Sequence, residues 1–126
     1  MNSAEIEDLL NMDIKMFELE LVELYDPSQD DAITVTAWTG HDLTEKLKHV
    51  RKKLEASFET SKDVIKQKVC DDLDFCETVK NDKVNMVMWI VDTGVILGTA
   101  GVIPLPPVRA TVYAMRLGMF DRLCGC

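Results

Sequence analysis

Residues 84–101, VNMVMWIVDTGVILGTAG, hold a single charged side chain, Asp92, and this decides how the rest of the chain is read. No polar face emerges at the helical or the strand period. A helix of this kind is enclosed on all sides, by protein or by lipid. Inside a protein core, Asp92 needs a backbone amide, Thr93 or an arginine from the last segment, or it stays protonated. Lipid offers a different account. Residues 84–103 reach the length of a span, about 20 residues, and Gly94 with Gly98 forms the GxxxG spacing that lets membrane helices approach closely. An aspartate near the middle costs roughly 2.5–3.5 kcal/mol there, however, and three glycines, an asparagine and one leucine offset little of it. A core helix broken at its glycines is therefore the expectation. The alternative is a membrane-associating hairpin that turns at Pro104–Pro107 and returns through 108–123, with two arginines at awkward depth on the way back.

Upstream, three segments carry one apolar face each. Over 3–25, Ile6, Leu10, Ile14, Phe17, Leu21 and Leu24 recur at steps of three and four. Asn2 and Glu5 form a capping box ahead of them, and Asp26-Pro27 ends the run. ITVTAW (33–38) reads as a connector that inserts Trp38, since a lone strand has nothing nearby to pair with. A second helix is expected over 42–59 with the stripe Leu43, Leu47, Val50, Leu54 and Phe58. A third follows, capped by Thr60 or Ser61 and reaching about Asp82, on Ile65, Val69, Leu73, Cys76 and Val79. After the prolines, 108–123 is helical again, with Val112, Met115 and Met119 on one side. The expected fold is all-α and one domain: an amphipathic three-helix region (1–83), with an apolar C-terminal segment (84–126) packed on it.

Composition supports a packed core and narrows the functions. The chain has 126 residues, 47% of them hydrophobic, and a net charge of −8. Nucleic acid is excluded as a partner, because phosphates require a clustered cationic footprint. Charge is unevenly spread: twelve acids and one base, Lys15, over 1–45; ten bases and eight acids over 46–83; then two acids and three arginines. The bases of the second helix suit the acids of the first, which favours these two as neighbours. Cys70, Cys76, Cys124 and Cys126 form no disulfide framework by themselves. With an acidic, helical amino terminus and no secretory leader pattern, a reducing, cytoplasmic setting is expected.

Several short motifs invite sharper readings. Ile90-Val91-Asp92-Thr93-Gly94 resembles the aspartic-protease signature, in which two carboxylates share a proton and activate water. The triplet occurs once, follows a helical pattern and has 32 residues after it, so hydrolysis is the remote alternative. IPLPPVR (103–109) is similar to SH3-domain ligands, with Pro104 and Pro107 as groove contacts and Arg109 for an acidic pocket; a rigid connector needs the same prolines. Leu123-Cys124-Gly125-Cys126 resembles the Cys-x-Cys ending of Rab-type small GTPases, which implies lipidation at Cys124 and Cys126. The resemblance covers four residues, and no GxxxxGK[ST] phosphate loop accompanies it. Asp71, Asp72, Asp74 and Glu77 read as a solvated face rather than a metal site. His41 and His49 have no cysteine or serine placed to use them. No catalytic, cofactor or metal residues are assigned.

The chain is thus expected to be a non-enzymatic, acidic helical interaction or assembly module acting on a protein partner or on itself. Asp92, Gly94, Gly98, Pro104, Pro107 and Arg109 are its candidate contacts with a partner or a membrane. In general plan the membrane alternative resembles helical toxins and pore-forming bundles that hide an apolar hairpin.

Overall fold

The computed structural model describes residues 2–30, 33–81, 83–100 and 104–125. It is all-α: 83% helical, with no strand among the described residues. The elements are α1 (Ser3–Asn11), α2 (Ile14–Leu24), a 3-10 turn (Pro27–Gln29), α3 (Val35–Gly40), α4 (Leu43–Thr60), α5 (Lys62–Ile65), a π-helical stretch (Lys66–Asp72), α6 (Phe75–Asn81), α7 (Lys83–Ala100), α8 (Pro107–Arg116) and α9 (Met119–Cys124).

Local chemistry sets the boundaries. Asn2 Oδ1 accepts from the Glu5 amide at 2.9 Å and starts α1. The single helix expected over 3–25 is in fact two. Asp13 caps a fresh start by accepting from the amides of Lys15 and Met16, so the chain bends at Met12-Asp13. The bend rotates the apolar stripe: Leu9 is buried on α1, while Leu24 at the far end of α2 is exposed. ITVTAW is neither strand nor plain connector. Thr34 caps α3, and Trp38 on that helix is buried, as expected of it. Asp42 caps α4, which matches the expected second helix closely.

The expected third helix is broken into three. A short α5 widens into the π-helical stretch, and Asp74, at φ 49°, then turns the chain into α6. Aspartate is one of the few side chains that tolerate this left-handed conformation. Near the other end, Gly118 at φ 73° separates α8 from α9.

The apolar segment forms α7, which is only half a core helix: Trp89, Ile90 and Leu97 are buried, but Met88, Val91 and Val95 are exposed. The expected enclosure on all sides is not met, and the expected glycine break is absent, since α7 runs unbroken through Gly94 and Gly98. Those glycines serve close packing. A Cβ on Gly94 would lie 3.2 Å from Val108 Cγ2, and one on Gly98 would lie 3.3 Å from Pro107 Cγ. The GxxxG spacing thus seats α8 against α7 within the protein. Trp89, Ile90 and Leu97 of α7 and Val112 and Tyr113 of α8 are buried. No helix among the described residues is long and apolar enough to cross a membrane.

Phe120 of α9 fills the centre of that region, with ring centroids 5.3 Å from Phe58, 5.8 Å from Phe75 and 5.0 Å from Trp89. A disulfide joins Cys70 in the π-helical stretch to Cys124 in α9, with Cα atoms 5.3 Å apart, and Cys76 is disulfide-bonded too. This corrects the expectation of free thiols. Spacing along the sequence gives no sign that α9 folds back beside the π turn.

Candidate functional site

Most of the residues singled out in the sequence serve the fold. Asp92 faces solvent on α7, whereas Thr93 and Gly94 beside it are buried. A helix interior cannot supply the paired carboxylates an aspartic protease requires, and solvent rather than a buried partner satisfies the Asp92 carboxylate. Pro104 is buried and its carbonyl accepts from the Asp26 amide at 3.0 Å. Pro107 opens α8, and Arg109 on that helix pairs with Glu20 of α2. Pro104 is thus buried, and Pro107 and Arg109 are helical, unlike the exposed extended form that SH3 domains bind. The sulfur of Cys124 is bonded to Cys70, and Cys126 lies outside the described residues. Asp71, Asp72, Asp74 and Glu77 are all exposed, and no cluster among the described residues has the makings of a metal site.

Two buried polar clusters escaped the sequence reading. Tyr113 on α8 donates to Glu18 Oε2 at 2.7 Å and accepts from Arg51 Nε at 2.8 Å, and Arg51 also pairs with Glu18. One phenol therefore joins α2, α4 and α8. Burial pushes the Tyr113 hydroxyl up to about 12, and the hydrogen bonds to Tyr113 and Glu18 raise Arg51 above its usual value.

Asp30 is the centre of the second cluster. Its buried carboxylate accepts from the Tyr25 hydroxyl, meets His49 Nε2 at 2.6 Å and lies 3.4 Å from Lys53 Nζ. Tyr25 packs at a tilt against Trp38 with centroids 4.6 Å apart, and His49 sits edge-on to both rings. Burial first, and then the bond to Asp30, raises the Tyr25 hydroxyl. A His–Asp pair is the supporting half of a nucleophilic site, but Asp30 here gathers three donors from α2's end and α4. Its effect is to fasten the 3-10 turn to the helices. Asp30 lies between runs with no periodic pattern, so only its isolated position hinted at such a role.

What remains for function is exposed apolar surface. A cleft of about 260 Å³ opens between α2 and α4, lined by Leu19, Val22, Leu43 and Leu47, with Lys15 and Glu18 beside them. Leu19 is 44% exposed and Leu43 49%, and Met16, one turn before Leu19, is 62% exposed. A second apolar row on α7, Met88, Val91 and Val95, faces outward with Asp92 among it. That row lies along a single helix, whereas Leu19 and Leu43 line the cleft between α2 and α4. Its signal was legible in part: Met16 and Leu19 lie off the buried stripe of the first helix, yet are large and apolar.

No protein-family model, curated protein or solved structure matches the chain.

Proposed function

We propose that this chain is a non-enzymatic protein-interaction module and that the α2–α4 cleft is its docking site. The observation that carries this reading is the exposure of Leu19 and Leu43 at the mouth of a concave apolar surface. Neither side chain belongs to the buried core, to which α2 and α4 contribute Phe17, Leu21, Val50 and Leu54. Contiguous exposed apolar side chains with a polar rim are the usual mark of a protein contact.

The occupant that fits is an amphipathic helix laid along the groove, with anchors spaced by three and four residues. Full burial of a leucine or methionine is worth about 1.5–3 kcal/mol. Met16, Leu19 and Leu43 are each roughly half covered, so finishing their burial contributes about 3–4 kcal/mol. A micromolar complex requires about 8 kcal/mol, and the occupant must therefore bring an apolar row of its own.

Panning a displayed library of helical peptides against the folded chain tests the reading. Enriched peptides should carry an apolar row at helical spacing and lose binding to Leu19→Lys and Leu43→Lys. Enrichment of peptides indifferent to both substitutions, or no enrichment at all, would count decisively against the cleft as a docking site.

A further inference from the structure

We infer that a second cleft, between α4 and α9, binds a small apolar zwitterion of the free α-amino acid type. It is separate from the α2–α4 cleft and shares no lining residue with it. Its volume is about 260 Å³. Pockets for drug-sized ligands run to about 300–1,000 Å³, so this one suits a smaller molecule.

The apolar part of the lining is fixed before any ligand arrives. Phe58 of α4 and Met119 of α9 belong to the buried core, and Leu123 lies beside them along the cleft. Cys124, the next residue, is bonded to Cys70 and holds α9 in place. Walls already set in this way lose little in ordering on binding.

Charge then selects the molecule. Glu55 and Glu59, one turn apart on α4, line the cleft together with Lys62 of α5 and Arg122 of α9. Two acids and two bases share one opening, yet none of the four has an ion pair among the described residues. Arg122 donates from Nη1 to the Leu117 carbonyl at 3.1 Å, a neutral acceptor that leaves its charge uncompensated. An anion alone would face the two glutamates, and a cation alone would face Lys62 and Arg122. A purely apolar ligand would answer neither pair. A ligand that carries an ammonium and a carboxylate answers both, which is the complementarity that gives specificity. In an α-amino acid the two charged groups share one carbon, and an aliphatic or aromatic side chain on that carbon lies against Phe58, Met119 and Leu123. The four charges are exposed, so each contributes modestly and the complex is a weak one.

Chemical-shift titration of the isotopically labelled, disulfide-bonded chain with L-phenylalanine tests this, up to about 10 mM, which covers a millimolar contact. Saturable shifts centred on Phe58, Lys62 and Met119 are expected. N-acetyl-L-phenylalanine lacks the ammonium and L-phenylalaninamide lacks the carboxylate, and each should bind at least about fivefold more weakly. Replacing both acids, Glu55→Gln with Glu59→Gln, should weaken L-phenylalanine about fivefold but leave the N-acetyl compound no weaker. Lys62→Gln should likewise weaken L-phenylalanine and spare the amide. These side chains are exposed, so helical circular dichroism should be unchanged in every variant. No shifts up to about 10 mM, equal affinity for all three compounds, or binding that moves with Leu43→Lys in the other cleft would each overturn the inference.

Discussion

Replacing Cys70 and Cys124 together with serine opens a covalent loop that spans 54 residues of sequence. On the chain-entropy account, closing a loop of this length removes about 14 cal/mol/K from the unfolded ensemble, or about 4 kcal/mol at 25 °C. A small domain has only about 5–15 kcal/mol to lose. The native state should suffer little beyond this, since Phe120 still anchors α9 between Phe58, Phe75 and Trp89. Replacing both cysteines leaves no lone thiol to exchange with the bond at Cys76. Urea unfolding, followed by circular dichroism and by the fluorescence of buried Trp89, provides the assay. With a slope of about 2 kcal/mol/M, the midpoint should fall by about 2 M. Coincident curves by both probes would show that the native packing survived. A midpoint within about 0.3 M of wild type, with an unchanged slope, would refute the idea that loop closure in the unfolded chain is how the bond stabilises the fold.

Three further outcomes are expected. Asp30→Ala strips Tyr25, His49 and Lys53 of their common acceptor and should cost about 3 kcal/mol, read in the same urea assay alongside a shift in emission from Trp38; a loss below about 1 kcal/mol would mean the cluster does not hold the 3-10 turn in place. At high pH, both tyrosines of the chain are held neutral, Tyr113 up to about 12 and Tyr25 also raised. Because the unfolded chain releases these protons first, near 10, the stability they contribute is whole below pH 10 and lost as pH climbs towards about 12. Phenolate absorbance should therefore appear together with loss of helical signal, and a phenolate step near 10 in a chain that stays helical would contradict it. Asp92→Asn alters an exposed side chain and should move stability by less than about 0.5 kcal/mol; a loss of several kcal/mol on thermal melting would mean that Asp92 has a buried role after all.

The long-range layout was legible where one periodic stripe met one clear cap. Asp42 followed by Leu47, Val50, Leu54 and Phe58 located α4 to within a residue, because cap and stripe point to the same helix. The apolar segment around Trp89 was legible as a helix that packs in the core, but the lack of a polar face suggested burial all round, whereas Met88, Val91 and Val95 face outward. The breaks were hidden. Asp13, Asp74 and Gly118 interrupt patterns that continue across them in apolar character, and a stripe records which residues face inward, not whether the backbone bends between them. The glycines of α7 were misread for the reverse reason: Gly94 and Gly98 lower helix propensity, but packing against Val108 and Pro107 outweighs that local cost. The disulfide and the Asp30 cluster depend on contacts between distant residues, for which a single sequence carries no signal. The cleft falls between these cases. Leu43 and Leu47 read as ordinary members of a buried stripe, and only packing shows that the first turn of α4 runs past the edge of the core.

The bond between Cys70 and Cys124 also makes α6, α7 and α8 segments of one covalent ring. A protease that cuts a peptide bond inside that ring opens it without dividing the molecule, since the two pieces remain joined through sulfur. A nick near Pro106 would leave the mass changed only by one water until a reductant is added. The helices on either side of such a cut stay tethered at high local concentration, free to re-dock along the Gly94 and Gly98 seam. Cleavage before residue 70 leaves a piece with no covalent tie to the rest, held only by packing and by contacts such as Tyr113 with Glu18. The same enzyme thus severs the first half of this chain and merely unlatches the second.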